Sequence, residues 1–253
     1  MTKPVQVTVL GSGDAFGAGG RLHSGYLVEA PSTTFLVDCG PTVLQALKRL
    51  NVDPTRIDFV CLSHLHGDHF GGVPFLFMDA LYVNRRTRPL AIYGPPDTER
   101  RVRALFRALY ERQASEESPF RVSYGELAPT RMPLHGATVE AFAVPHVSDL
   151  VCYGYRIEVA GYTILYSGDT AWTDEFVSRA RDVDLFVCEC STFETQLGIH
   201  VTYREIAARA ATLGCRRLVL SHLGEDVLSR RGELSLELAE DGMVIPLGAP
   251  RRA

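Results

Sequence analysis

The stretch that decides the fold is Ser63-His64-Leu65-His66-Gly67-Asp68-His69-Phe70-Gly71-Gly72, which directly follows the apolar run Phe59 to Leu62. It places three of the chain's eight histidines and one aspartate within six positions. His64 and His66 are two residues apart at a strand end, so their side chains point the same way. Asp68 and His69 follow in the turn, where they can face a second ion. The spacing therefore predicts a strand-to-loop site for two adjacent divalent ions.

Further ligands are expected at the ends of other apolar runs, because two ions need more donors than one loop supplies. Three residues stand where such runs stop: His146, Asp169 and His222. A carboxylate can bridge two metals while imidazoles cap each of them, so Asp169 is the predicted bridge. The complete set of predicted metal ligands is His64, His66, Asp68, His69, His146, Asp169 and His222.

Length and composition favour a single soluble domain over residues 1–253, with 46% hydrophobic and 22% charged residues. A formal charge of −4 argues against a protein held to polyanions by bulk electrostatics. No apolar run approaches the ~20 residues of a membrane helix. Residues 1–10 alternate like a strand and lack the features of a signal peptide, which predicts a cytoplasmic location.

The six cysteines lie mostly inside apolar, strand-like stretches, where a free thiol behaves as a small hydrophobic group. Cys188 and Cys190 are two apart, as a metal-binding pair could be. Because no second such pair exists in the sequence, we interpret them as structural.

Strand-like runs alternate with helical ones, which predicts a mixed α/β fold. The predicted helices are Thr42 to Leu50, Asp97 to Arg112 and Thr202 to Leu213, with N-cap residues Asp97 and Thr202. The predicted strands are Val5 to Leu10, Tyr26 to Glu29, Thr34 to Val37, Phe59 to Ser63, Leu90 to Tyr93, Thr138 to Val144, Tyr153 to Val159, Tyr162 to Ser167, Leu185 to Cys190 and Leu218 to Ser221.

One hairpin pattern occurs twice in the chain, an internal echo in the sequence. The hairpin pattern from Gly25 to Asp38 recurs from Gly154 to Ser167, and each copy ends in a small or acidic cluster. The recurrence predicts two related halves packed face to face.

The His-x-His-x-Asp-His run, together with His146, Asp169 and His222, resembles the metallo-β-lactamase superfamily over nearly the whole chain. The resemblance implies a four-layer αββα sandwich of two pseudo-symmetric halves, with the metals at one edge. A cysteine commonly stands at the position of Asp169 in the lactamases proper. The aspartate here resembles the phosphodiesterase, glyoxalase-like and lactonase branches, so antibiotic hydrolysis is disfavoured.

Two further matches resemble ribonuclease Z and its relatives: Glu189 at the end of an apolar run, and His200 just before a helix start. A histidine oriented by a carboxylate is a common arrangement for proton transfer. The resemblance implies that His200 protonates a leaving oxygen, or steadies a non-bridging one, while Glu189 fixes its tautomer. The plainer interpretation is a structural Glu with a helix-capping His.

One departure from the ribonuclease Z pattern concerns the long arm of the bacterial transfer RNA processing enzymes. These enzymes insert the arm between the positions that match His146 and Asp169 here. Only 23 positions lead from His146 to Asp169, and a predicted hairpin fills them. The arm cannot fit, which favours a small or cyclic phosphodiester, or a short RNA, over authentic tRNA 3′-end processing.

The leading hypothesis is therefore a ribonuclease Z-like phosphodiesterase that uses two divalent ions, with zinc expected and Mn²⁺ or Fe as alternatives. Asp68, His200 and Glu189 are the predicted catalytic residues, Asp68 orienting the attacking hydroxide. One ion would lie on His64, His66 and His146, the other on Asp68, His69 and His222, with Asp169 between them.

Two rivals remain at this stage. The same site could hydrolyse a carboxylic ester, thioester or lactone, because the ligand set alone does not choose between carbonyl and phosphoryl. A metal-stabilised module that binds RNA or a protein partner without catalysis is the other rival. Relatives of the ribonuclease Z branch are often dimers, so a homodimer is compatible with the resemblance.

Overall fold

The structure is a computed structural model that describes residues 5–248. The first four residues of the alternating N-terminal stretch and the last five residues of the predicted domain lie outside the described residues. The strands are β1 Gln6–Gly11, β2 Gly25–Glu29, β3 Thr34–Val37, β4 Phe59–Cys61, β5 Leu90–Gly94, β6 Val122–Glu126, β7 Arg131–Leu134, β8 Ala137–Ala143, β9 Tyr153–Val159, β10 Tyr162–Tyr166, β11 Leu185–Glu189, β12 Leu218–Ser221, β13 Glu237–Leu238 and β14 Val244–Pro246. The α-helices are α1 Val43–Arg49, α2 Gly67–Phe70, α3 Val73–Tyr82, α4 Thr98–Leu109, α5 Glu175–Arg179, α6 Tyr203–Arg209 and α7 Glu225–Leu228.

The strands form two seven-stranded sheets with matching topology. Their orders are β14-β1-β2-β3-β4-β5-β6 and β7-β8-β9-β10-β11-β12-β13. In the first sheet β2 and β3 are antiparallel and β4 to β6 continue parallel to β3, and in the second β9 and β10 are followed in the same way by β11 to β13. The repeated order confirms the two related halves that the hairpin echo predicts.

Successive side chains along each strand point to opposite faces of its sheet. One face of each sheet packs against the other sheet and the opposite face packs against helices, which gives four layers. In β4, Phe59 and Cys61 face the core between the sheets, whereas Val60 packs with the helices outside the first sheet. Phe186 of β11 likewise faces outward against Phe176 of α5. Burial of each large apolar side chain stabilises the fold by roughly 1.5–3 kcal/mol. The order helix, sheet, sheet, helix is the predicted αββα sandwich.

Helix starts test the sequence interpretation of the caps. The Thr202 hydroxyl accepts a hydrogen bond from the Glu205 amide and the Glu205 carboxylate accepts one from the Thr202 amide, which confirms the predicted capping box. Asp97 stands at the predicted N-cap position of α4, but its backbone is left-handed, with φ of 74°, and its carboxylate accepts a hydrogen bond from Arg100 rather than from a backbone amide of the first turn. Among residues 5–248, no helix combines the length and apolar character needed to cross a bilayer.

Candidate metal centre

Strand ends gather the predicted site residues at one edge of the sandwich. In the second sheet β8 and β10 are both antiparallel to β9, and β11 and β12 are parallel to β10, so these four strands end on the same side. The residues that follow or end them are His146, Asp169, Glu189 and His222, and β4 of the facing sheet leads into His64. Because each residue ends a different buried strand, the sandwich core holds their relative positions.

The loop after β4 packs against the segment after β3. Cys39 donates its amide to the His69 carbonyl over 2.6 Å and accepts from the Gly72 amide over 2.8 Å. Gly40 lies so close that a Cβ there would stand 2.3 Å from the Asp68 carbonyl oxygen. The absence of a side chain at position 40 therefore allows the histidine-rich loop to sit where it does.

We expect Gly40→Ala to weaken binding of divalent metal by about tenfold and to lower the free energy of unfolding by about 1–3 kcal/mol, because the added methyl group pushes the backbone of Asp68. Gly67→Ala is the matched control, since a Cβ at this position of the same loop meets no atom within 4 Å. Zinc titration and thermal unfolding of both variants measure the effect. Equal behaviour of the two would contradict this account of the loop.

Three imidazoles form the first ligand group. His66 Nδ1 lies 3.0 Å from His64 Nε2 and 3.3 Å from His146 Nε2. All three ligand atoms lie within 4.8 Å of one another, a spacing that suits donors around one ion. His64 is fully buried, and the side chain of His146 is only 2% exposed. This group coincides with the predicted first set of ligands.

The second group contains two carboxylates and two imidazoles. Asp68 Oδ2 lies 3.2 Å from His69 Nε2 and 3.3 Å from His222 Nε2. Asp169 lies between the groups, with Oδ1 3.2 Å from His69 Nε2 and Oδ2 3.3 Å from His222 Nε2. The same Oδ2 is 3.9 Å from His64 Nε2. Asp169 is thus the carboxylate that approaches imidazoles of both groups.

The residues of the second group fit a divalent cation by a test on their hydrogen bonding. His69 Nε2 and Asp169 Oδ1 are buried, and neither has a hydrogen-bond partner in the described part of the chain. Buried polar atoms normally find a partner, so an orphaned nitrogen and an orphaned carboxylate oxygen that face each other mark a position that suits a cation. Imidazole and carboxylate are ligands that zinc, manganese and iron accept.

Electrostatics favour the same conclusion. Burial lowers the pKa of His64 and His66, and neighbouring imidazoles lower it further, so both rings offer a neutral lone pair. Burial also lowers the pKa of His222, but Asp169 and Asp68 outweigh it and raise that pKa to about 9. Although burial raises the pKa of Asp169, the positive charges of His222 and His69 hold it well below its usual value. Despite burial, the carboxylates raise the pKa of His69 and of His222, so protons on these two rings balance the negative charge, and divalent cations could supply that positive charge instead.

Asp38, a buried carboxylate to which the sequence interpretation assigned no role, binds the histidine-rich loop on the side away from the ligand atoms. Asp38 accepts hydrogen bonds from the Ser63 amide over 2.7 Å, from His69 Nδ1 over 2.8 Å and from the Tyr166 hydroxyl over 2.7 Å. His146 Nδ1 similarly donates to the Ile199 carbonyl over 2.7 Å. Such partners fix the ring orientation and leave the other nitrogen for a metal. The only sequence signal for Asp38 is an acid directly after an apolar strand.

Glu189 and His200 lie beside both groups. His200 Nδ1 is 2.9 Å from Glu189 Oε1, and Glu189 is only 2% exposed. A ligand-capable atom of His200 lies within 4.8 Å of those of His146 and Asp169. Burial lowers the pKa of His200, but the hydrogen bond and charge of Glu189 raise it overall. In this pair, a buried carboxylate therefore sets the pKa of a neighbouring imidazole.

Comparison with known proteins supports this assignment of fold. An uncharacterized protein of Mycobacterium tuberculosis is 35% identical over 236 residues, which cover 89% of this chain and 85% of that protein. The crystal structure of YhfI from Bacillus subtilis, a metallo-β-lactamase fold protein, has a TM-score of 0.76 at 26% identity and covers 96% of this chain and 99% of that one. Human tRNase Z, short form, has a TM-score of 0.77 at 26% identity over 96% of this chain and 100% of that one.

Fold and site together define a metallo-hydrolase of the metallo-β-lactamase superfamily, in its ribonuclease Z-like branch. The predicted superfamily and αββα sandwich are thereby confirmed. Within that superfamily, a family model described as anti-Pycsar protein Apyc1 matches residues 5–244. The chain belongs to the anti-Pycsar protein Apyc1 family.

Proposed function

We propose that this chain is a two-metal phosphodiesterase that acts on a small or cyclic phosphodiester, such as a cyclic nucleotide or cyclic ribose phosphate, or on a short RNA. The observation that carries the proposal is the hydrogen-bonded pair of buried Glu189 and partly exposed His200 beside the two ligand groups. Phosphodiester hydrolysis expels a basic alkoxide, which benefits from a proton donor at the leaving oxygen. Hydrolysis of a thioester makes a smaller demand of this kind, because a thiolate is a much less basic leaving group than an alkoxide.

Each residue has a defined task in this proposal. Two ions held by the seven ligands would lower the pKa of a water molecule toward neutrality and offset charge on the phosphoryl oxygens. Asp68, whose side chain is 10% exposed, orients the attacking oxygen by accepting a hydrogen bond from it. His200 donates a proton to the leaving oxygen, and Glu189 holds the imidazole in place and stabilises its charged form.

The size of the substrate follows from what lies around the site. The interval from His146 to Asp169 holds β9 and β10 and the short connections around them, so it contributes no protruding arm. Human tRNase Z, whose name states its action on tRNA, is similar to this chain in fold and supports phosphodiester chemistry. The formal charge of −4 disfavours a large polyanionic substrate. A compact phosphodiester needs neither an arm nor a basic surface.

A substrate panel tests this proposal against its carbonyl rival. Protein of known metal content is assayed with bis(p-nitrophenyl) phosphate, cyclic nucleotides, a short RNA, a thioester and a lactone. We expect kcat/KM to be highest for a phosphodiester, and chelation of the metal to abolish it. Faster hydrolysis of the thioester or lactone than of every phosphodiester would overturn the proposal in favour of carbonyl hydrolysis.

A further inference from the structure

Ser191, two residues beyond Glu189, lies between that glutamate and the metal-ligand candidate His222. Its hydroxyl oxygen is 3.0 Å from Glu189 Oε2 and 2.9 Å from His222 Nδ1, with a longer contact of 3.4 Å to the His222 carbonyl. All three side chains are buried. A serine hydroxyl is not among the usual ligands of such ions, so Ser191 is not itself a ligand candidate.

The hydrogen-bonding roles follow from the chemistry of the three groups. An ionised carboxylate only accepts, so the Ser191 hydroxyl donates its single proton to Glu189. The hydroxyl oxygen can then only accept from His222, which requires a proton on Nδ1 of that ring. The opposite nitrogen, Nε2, faces Asp68 and Asp169 at 3.3 Å each. Ser191 thus fixes the tautomer in which Nε2 is the atom offered to an ion.

The other half of the molecule repeats this arrangement with different residues. Asp38 accepts from the Ser63 hydroxyl over 2.8 Å, and the same hydroxyl lies 3.1 Å from His64 Nδ1. Asp38 also holds His69 Nδ1 directly, as Glu189 holds His200 Nδ1 directly. Each half therefore contains one buried carboxylate that orients one imidazole itself and a second one through a serine. The repetition argues against an accidental contact at Ser191.

We propose that Ser191 is a positioning residue that joins His222, on the metal side, to the Glu189–His200 pair, on the proton-transfer side. One carboxylate then orients both a ligand and the proton donor, so their geometry is linked. The effect on turnover rests on the proposed function. The effect on metal binding does not, because it concerns His222 alone.

The test compares Ser191→Ala with Ser191→Thr, which keeps the hydroxyl group, and with Ser229→Ala, which alters an exposed serine. Zinc binding to metal-free protein is measured by calorimetric titration. We expect Ser191→Ala to weaken the zinc site that contains His222 by about 10–100-fold, and the other variants to bind like wild type. In the zinc-loaded protein, the Nδ1–H proton signal of His222 should lose its hydrogen-bonded chemical shift in Ser191→Ala and regain it in Ser191→Thr.

Wild-type zinc affinity and an unchanged His222 signal in Ser191→Ala would overturn the inference. Equal loss of affinity in the Ala and Thr variants would also overturn it, because packing rather than the hydroxyl would then be responsible. A wild-type protein that binds zinc but hydrolyses no phosphodiester would refute the proposed function and leave the role of Ser191 in metal binding intact.

Discussion

His200→Ala should retain the metal content of the wild type while its turnover of a phosphodiester falls by about 10²-fold or more, because the variant lacks the proposed proton donor. The side chain of His200 is 16% exposed and its Nδ1 is engaged by Glu189, so Nε2 is the nitrogen free to meet a leaving oxygen. The loss should fall on kcat. It should also be larger for a ribose leaving group than for p-nitrophenolate, which is weakly basic and needs less protonation.

The control for this experiment is His135→Ala. His135 is exposed in the turn between β7 and β8, at the opposite edge of the sandwich from the metal ligands, and its Nε2 contacts only the Tyr93 hydroxyl among the described polar groups. Turnover should be unchanged there. Loss of metal in His200→Ala would make His200 a ligand, and equal losses for both leaving groups would contradict its role as the acid.

Asp169→Asn should release at least one of two bound ions and lower kcat/KM by about 10³-fold or more, because the stabilisation of charge by metal ions is worth several kcal/mol. The substitution preserves shape but removes the negative charge shared between the two groups. Asp169 Oδ2 lies 3.3 Å from His222 Nε2 and 3.9 Å from His64 Nε2, so one change affects both groups. Metal per chain is measured by mass spectrometry alongside kcat/KM.

Asp149→Asn is the matched control, since Asp149 is an exposed carboxylate in the interval from His146 to Asp169. It should keep both ions and full activity. An Asp169→Asn protein that still holds two ions and turns over at the wild-type rate would refute the bridging assignment.

The metal loop could be predicted from the sequence because its signal is local. Three histidines and an aspartate within six residues seldom come together by chance. His146, Asp169 and His222 are distant in sequence, but each follows an apolar strand, and strand ends converge in a sandwich. Glu189 and His200 depended on resemblance, since nothing in their own spacing places a glutamate from one strand against a histidine from the next loop.

The orienting groups behind the ligands could not be predicted in this way. Asp38 and Ser63 are 25 residues apart, and their hydrogen bond depends on the parallel pairing of β3 with β4. Ser191 reaches His222 across 31 residues through the parallel pairing of β11 with β12. Serine is common in loops, so its type carries no signal until the topology is known.

Two elements, α3 and β7, lack the sequence pattern from which helices and strands are predicted. The helix α3 (Val73–Tyr82) begins with an almost continuous apolar run, which has no polar face to reveal a helical period. Strand β7 (Arg131–Leu134) contains Pro133, which is tolerated because β7 is an edge strand. Sequence periodicity detects half-buried elements best, and these two are a buried helix and an edge strand.

The most direct test of the two-metal account is a titration of metal-free protein with Zn²⁺, Mn²⁺ or Fe²⁺ while hydrolysis of a cyclic nucleotide is followed. The account predicts that, with at least one of these metals, turnover stays low up to one equivalent per chain and rises to its maximum between one and two equivalents. Full turnover with one ion or none, or no turnover of any phosphodiester with two ions bound, would contradict it.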